Sequence, residues 1–388
     1  MKAIVKRSVA IFCVWAAFLF LQGTAIGAEI NIGVVGVLTG PSAYFGLDGL
    51  HGAEIAVKEL NDAGGVNVGG TKYTVMLRTY DDEGNAAKAV AGMQRLKDKY
   101  NCPVILQNSS ACILGMMEKN EKMNVLLSGY FRHPEATNKG NKLLLRHHIP
   151  TREDATSLAN GVVKIFNAKT VALLSDVSDY GKGYVAAYTK LFNDLGVKIV
   201  ANEWLDQRTQ TDFRSQLTKI KAEKPDVIML SAYDEASAGA VKQANELGIK
   251  TPIALTTGFQ QMGEKLTGPD IIEGYIKPAE YNDITPLPPA VERYKTKLYP
   301  AMKYKEPMGL YGQIVYQNVH TIILAMQKAG STTDPWKIRA AAPLVVPVDK
   351  KYNTTGFKAW KENGEGVMEQ RLGQYKNGKL VVVLDYKK

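Results

Sequence analysis

The sequence predicts an α/β protein built as two doubly wound, Rossmann-like lobes, and three observations predict it. Apolar runs of strand length alternate with amphipathic helical stretches from Glu29 onward, the pattern of a mainly parallel sheet with helices on both faces. The alternation restarts after HHIPTRED, near Pro150, so the second half retells the first at coarse grain. From about Tyr275 the sequence turns Pro-rich and polar, then gives a long amphipathic segment and a tail with two Asn-Gly pairs. An α/β sheet ending in such hairpin signals implies that the chain passes between lobes more than once.

Lys2, Lys6 and Arg7 precede a 13-residue apolar run from Val9 to Leu21 and the small-residue segment GTAIGA. This is the pattern of a secretory signal peptide, with cleavage expected after Ala28 or Gly27. The run is too short for a spanning helix, which needs about 20 residues. A soluble mature protein in the periplasm or secreted is expected. Cys13 sits inside the run behind bulky Phe12 and is expected to be a spectator of the leader, not a lipid-attachment site. The remaining 360 of 388 residues exceed what one core usually organises. The leader takes three of the 48 basic residues and none of the 38 acidic ones, leaving a mature excess of +7. These charges are dispersed, which argues against a nucleic-acid-binding tail.

The first strand is EINIGVVGVLTG, with Ile30, Ile32, Val34, Val35 and Val37 apolar. The next helix sets Leu50, Ala53, Val57 and Leu60 on one face and stops at Gly64 and Gly65. TKYTVMLRTYDDEG is a strand, and Val90, Met93 and Leu96 mark a helix. Val104 to Leu106 and Val125 to Leu127 are continuous apolar runs, as strands covered on both faces are. Joined by a helix, these two strands are parallel neighbours with adjacent carboxyl ends. In the second half TVALLSDVSDYGKGY is strand then loop, followed by a helix through Tyr184, Tyr188 and Leu191. VKIVANEW, DVIMLSAYD and TPIALTTGF are strands, separated by helices through Leu217 and through Val241. The segment from Gly309 to Gly330 is a long helix, and Asn363-Gly364 and Asn377-Gly378 mark hairpins. Cys102 and Cys112 flank the strand from Pro103. At about 3.3 Å per residue their thiols fall near its opposite ends, beyond the ~7 Å Cα reach of a disulfide, so both are expected unbridged.

Ligands of open α/β sheets bind beyond the carboxyl ends of the strands. There Asn108, Ser109 and Ser110 sit next to Ser128, Tyr130 and Arg132. Ser109 and Ser110 open a helix whose free N–H groups favour an anion, and capping that helix is compatible with binding. Arg132 offers a bidentate pair to a carboxylate, or is a surface loop arginine. Tyr130, Phe131, Tyr180 and Tyr233 lie at strand ends, as a flat ligand wall or as rim packing. Asp81, Asp82 and Glu83 lack the donor pattern of a cation loop and read as a solvated turn. His147 and His148 are adjacent, so they face opposite ways along a strand and share no metal. Gly181 to Gly183 lacks P-loop spacing, and no nucleophile elbow, zinc motif or paired-Cys motif occurs. Cys112 has no recognisable catalytic partner. The residues give catalysis and metal binding little support, and no cofactor is expected.

The chain resembles the periplasmic solute-binding proteins of ABC importers, in the leucine/isoleucine/valine-binding class with the type I periplasmic-binding fold. The resemblance rests on IGVVGVLTGPSAYFG, GAEIAVKELNDAGGV, the YDDEGN turn, the Ser109–Ser110 loop, DYGKGY, DFRSQLTKIKAEKPDVIML and GIKTPIALTTG, in order over nearly all of the first 260 residues. It implies two lobes joined by three crossings, residues 29–149 with about 279–354 and residues 150–278 with about 355–388, closing over a solute handed to a membrane permease. It further implies that the serine loop holds a carboxylate, that Tyr180 and Tyr233 line the closing lobe, and that Tyr44 or Phe45 lies against the ligand. Two departures bear on the solute. Arg132 stands where amino-acid binders carry a small run ending in threonine, and Thr257 stands where they present an acid to the ammonium group. A cation added and an anion missing favour a plain carboxylate, aromatic in view of Tyr130 and Phe131, while Asp234 or Glu235 keeps the amino-acid reading open. No membrane helix or signalling domain is expected after the binding fold, which favours a transport subunit over a ligand-sensing module while leaving open a soluble partner for a separate sensor; a monomer is expected.

Overall fold

A computed structural model describes residues 27–40, 42–283 and 286–386. The expected leader, residues 1–26, lies outside the described residues. The first sheet holds β1 (Ala28–Gly36), β2 (Val66–Val68), β3 (Thr71–Asp81), β4 (Val104–Leu106), β5 (Leu126–Gly129) and β6 (Leu144–Arg146), in the spatial order β2-β3-β1-β4-β5-β6. Every pairing except β2 with β3 is parallel. Helices α1 (Ala43–Asp62), α2 (Ala86–Tyr100), α3 (Ser110–Met116) and α4 (Glu135–Asn138) connect the strands. Side-chain alternation along β1 divides the lobe: Ile30, Ile32 and Val34 enter the core shared with α1, and Val35 the opposite core with α2 and α3. The chain leaves β1 toward β3 on one side and returns to β4 on the other, so strand order switches between β1 and β4.

The second lobe repeats this plan. It holds α5 (Thr151–Phe166), β7 (Thr170–Asp176), α6 (Asp179–Asp194), β8 (Lys198–Leu205), α7 (Arg214–Glu223), β9 (Val227–Ser231), α8 (Asp234–Glu246), β10 (Ile253–Leu255), α9 (Gln261–Thr267) and β11 (Ile276–Pro278). Its switch point lies between β7 and β9.

Beyond β11 the chain returns to the first lobe through α10 (Pro289–Arg293), α11 (Tyr299–Met302), α12 (Leu310–Ala329) and α13 (Pro335–Ala341). Almost all of α12 is buried against α1. The Asp48 carboxylate on α1 accepts the N–H groups of Gly309 and Gly312 at 2.9 Å each, which caps α12 from its neighbour. Two hairpins follow: β12 (Phe357–Trp360) with β13 (Gly366–Met368), and β14 (Gln370–Lys376) with β15 (Lys379–Tyr386). Asn377 and Gly378 both take positive φ, 53° and 71°, as a two-residue hairpin turn requires. Three passages between lobes result, at residues 147–150, after β11, and between β13 and β14.

The last passage falls later than the expected boundary near 355. Phe357 and Trp360 belong to the first core, Trp360 Nε1 donates to Arg146 O at 2.7 Å, and the Phe357 ring stacks on His147 at 4.2 Å. The first hairpin thus stays with the first lobe and the second adds its strands to the other sheet, a division that turn signals alone do not encode. Cys102 and Cys112 are both free and buried, and burial pushes the Cys102 thiol up to about 12. Among the described residues no helix is long and apolar enough to cross a membrane.

Candidate functional site

The two switch points face each other across a cavity of about 260 Å³. The first lobe contributes Val37 after β1, Phe45 from the first turn of α1, Glu83 from the β3–α2 turn, and Ser109, Ser110 and Ala111 from the N-terminus of α3. The second contributes Ser178 and Tyr180 after β7, Gln207 and Arg208 after β8, and Tyr233 after β9.

The serine loop is held from below. Gln107 Oε1 accepts the N–H groups of Asn108 and Ser109, both at 2.8 Å, and Gln107 Nε2 donates to Asp82 Oδ2 at 2.8 Å. Ser109 caps α3 by accepting from Cys112 N at 3.5 Å. Ser110 Oγ accepts from the backbone N–H groups of both Arg132 and His133 at 3.2 Å. With both lone pairs engaged, Ser110 has only its proton left to offer. The loop therefore presents donors, which suits an anion.

The walls are aromatic. Phe45 stacks on Tyr233 with centroids 4.8 Å apart, Tyr233 packs on Tyr180 at 4.7 Å, and Phe45 meets the edge of Tyr311 at 4.6 Å. The Tyr180 hydroxyl bonds with Thr256 Oγ1 at 2.9 Å.

Arg132 lies beside this cavity but does not line it. Its side chain is 1% exposed, with Nη1 at 3.6 Å from the Asp154 carboxylate and Nη2 at 3.4 Å from Glu280, while Nε donates to the Tyr130 hydroxyl at 3.1 Å. Burial works against the cation, yet Tyr130, Asp154 and Glu280 keep it firmly protonated. Burial likewise pushes the Asp154 carboxyl up, a shift that Arg132 and the Tyr184 hydroxyl only partly offset. The expectation of an unbalanced cation is thereby corrected: two carboxylates already answer it. Thr257 Oγ1 lies 3.4 Å from Asp154 Oδ2, although the residues are 103 positions apart. No local spacing could have announced that pair.

Other expected residues divide in the same way. Phe45 reaches the cavity, whereas Tyr44 is buried inside the first lobe with its hydroxyl on Pro307 O at 3.2 Å. Phe131 points into the opposite core beneath the Arg146 guanidinium, 5.4 Å from its ring, because successive residues leave an extended segment on opposite sides. Tyr130 is buried between Tyr311 and His148. Asn108 is buried with Oδ1 on Tyr130 N at 3.3 Å, and Thr257 is buried below the wall. His147 stacks in the first core while His148 faces Tyr130 and Glu280. The acidic turn departs from a solvated one: Asp82 is fully buried, and Asp81 accepts from Leu38 N at 2.9 Å and Thr39 Oγ1 at 2.6 Å, tying the β3 and β1 turns together. Sequence reasoning missed Asp82, Gln107, Asp154, Glu280 and Tyr311. Asp82 and Gln107, like Ser178 and Gln207 of the cavity lining, carried one usable signal, their place at the carboxyl ends of β3, β4, β7 and β8.

Paired doubly wound lobes with a donor-lined, aromatic-walled cleft between their switch points define a two-lobed solute-binding protein of the type I periplasmic-binding fold. A family model described as periplasmic binding protein matches residues 29–379, and the chain belongs to that family, an extracytoplasmic one. It is 27% identical over 346 residues to an amino acid binding protein of Pseudomonas aeruginosa, covering 87% of each chain. It is 26% identical to a leucine-, isoleucine-, valine-, threonine- and alanine-binding protein of the same organism, covering 88% of this chain and 89% of that one. Among solved structures, a leucine binding protein from Thermotoga maritima superposes with a TM-score of 0.79 at 22% identity, covering 92% of this chain and 98% of the other. An ABC-transporter solute-binding protein from R. palustris in complex with benzoate gives 0.80 at 17% identity, covering 92% and 96%.

Proposed function

We propose that this protein is the extracytoplasmic solute-binding subunit of an ABC importer, which captures a small carboxylate-bearing solute by closure of its lobes and delivers it to a membrane permease. The solute class spans branched-chain and other amino acids and aromatic or aliphatic carboxylates. One observation carries the reading: Ser109 and Ser110 of one lobe and Tyr180 and Tyr233 of the other wall the same cavity. Within that class the interior favours a plain carboxylate. Its charged lining residues, Glu83 and Arg208, are exposed ones already paired with Lys88 and Asp206, and the buried carboxylates nearby, Asp154 and Glu280, face Arg132. Solute contacting both lobes stabilises the closed state in proportion to its preference for that state.

The test is a thermal-shift screen of the mature protein against leucine, isoleucine, alanine, benzoate, 4-hydroxybenzoate and short-chain acids, with calorimetry on every hit. A ligand at 100 times its Kd adds about 2.7 kcal/mol of stability. Raised melting temperatures for carboxylates but not for their amides are expected. Equal shifts with acid and amide would remove the serine loop as the carboxylate site.

A further inference from the structure

We infer that Asp82 and Gln107 are positioning residues that hold the Ser109–Ser110 loop in its solute-binding form. The inference rests on the cavity being the solute site. A glutamine amide has a donor end and an acceptor end, and the role of each depends on which way the amide faces. Here both faces are committed. Asp82 accepts at both oxygens, Oδ1 from Gly84 N at 2.8 Å and Oδ2 from Gln107 Nε2 at 2.8 Å. A carboxylate cannot donate, so it fixes the NH₂ group of Gln107 on its own side. Gln107 Oε1 is thereby turned toward the chain, where it accepts the N–H groups of Asn108 and Ser109. Asp82 and Gln107 are 0% and 1% exposed, so water does not substitute for either partner.

The consequence reaches the cavity wall. Gathering two consecutive N–H groups onto one oxygen bends the backbone after β4 and sets where Ser110 begins α3. From there Ser110 receives the N–H groups of Arg132 and His133, so the same constraint ties the ends of β4 and β5 together. Asp81, the preceding residue, binds the turn after β1, whose Val37 and Thr39 also line the cavity. The Asp81–Asp82 pair at the end of β3 thus couples the ends of β1, β4 and β5 to its own strand without lining the cavity.

A reciprocal exchange tests this. In Gln107→Glu an acceptor faces the Asp82 carboxylate wherever both carboxyls are ionised, and in Asp82→Asn the new amide donor faces the donor end of Gln107. Asp82→Asn loses the bond, and Gln107→Glu loses it in the doubly ionised form. The double variant Asp82→Asn with Gln107→Glu restores it with direction reversed, keeps Gly84 N on Asn Oδ1, and leaves the net charge unchanged. Amide hydrogen exchange at Asn108 and Ser109 reads the relay without any solute. Each single variant is expected to exchange at least tenfold faster there, and the double to recover most of the protection. Calorimetry with benzoate and leucine reads the solute site: tenfold or weaker affinity in the singles, and recovery to within about fivefold in the double. Unchanged exchange in both singles, or a double no better protected than the singles despite a wild-type melting temperature, overturns the inference. If exchange follows the expected pattern while neither probe binds wild type, the relay stands and the solute reading fails.

Discussion

The ring of Phe45, on the first lobe, lies parallel to the ring of Tyr233, on the second, with centroids 4.8 Å apart and planes inclined by 10°. This stack crosses between the two lobes, so under the proposed closure its strength bears on the open–closed balance. Aromatic pairs contribute about 0.5–1.5 kcal/mol beyond the area they bury. Phe45→Ala and Tyr233→Ala are each expected to weaken solute binding threefold or more. The double variant is expected to lose less than the sum of the two single losses, because either truncation already removes the stack. Calorimetry on the four proteins checks this, and strict additivity would mean that the rings act independently.

Arg132 is expected to matter first for stability. Its truncation to alanine strands Asp154 and Glu280 at 1% and 8% exposure without their shared cation. Breaking a buried ion pair from one side costs about 3–5 kcal/mol. Arg132→Ala should therefore lower the urea midpoint substantially before any solute is added. Glu280→Gln should cost less, since it leaves the Arg132–Asp154 contact in place. A Arg132→Ala protein of wild-type stability with weakened carboxylate binding would return Arg132 to the role of a direct ligand.

The contrast between Arg132 and Ser109 shows which parts of the site were legible in the sequence. The serine loop follows a continuous apolar strand and precedes a helix, so chain order alone sets it at a strand end, and the same rule sets Tyr180 and Tyr233 at strand ends beside the cavity. The partners of Arg132 come from α5 and from the segment after β11, far along the chain, and nothing periodic links them. Phe131 went wrong for a related reason: beyond the last strand residue, side-chain direction depends on the path of the loop. The two sheets were readable because parallel strands buried on both faces are continuously apolar. β2, three residues long and paired antiparallel to β3, was not.

Asp234 gives the protein a pH dependence of known sign. Burial pushes its carboxyl up to about 7 despite the N–H groups of Gln260 and Gly263 on Oδ1 at 2.6 and 2.7 Å. Its other oxygen, Oδ2, is buried without a hydrogen-bond partner. A folded value above the unfolded one, ~3.9, means that the native state holds the proton more tightly. Stability from this group is complete below about pH 4 and is lost as pH rises toward 7, by at most about 1.4 kcal/mol per pH unit. Asp234→Asn keeps the acceptor for both N–H groups and removes the titration. Its stability advantage over wild type should grow between pH 5 and pH 7 in urea denaturation. An advantage independent of pH would show that Asp234 titrates elsewhere.

Gly46 offers the sharpest steric test of the cleft. A Cβ built there would lie 1.9 Å from Val37 O, and the matching position in the second lobe, Gly181, would meet Asp176 O at the same distance. In each lobe the helix after the first strand is thus pressed against the end of that strand, with an aromatic residue of the site, Phe45 or Tyr180, immediately before the glycine. Since the obstructing atom is backbone, a methyl group cannot be relieved by a rotamer change, and the helix must move. Overpacking of this kind costs about 1–3 kcal/mol. Gly46→Ala should therefore both lower the melting temperature and tilt Phe45 off Tyr233, weakening solute binding more than Phe45→Leu, which leaves α1 in place. Equal affinity losses in Gly46→Ala and Phe45→Leu would mean that the placement of α1 contributes nothing beyond the ring it carries.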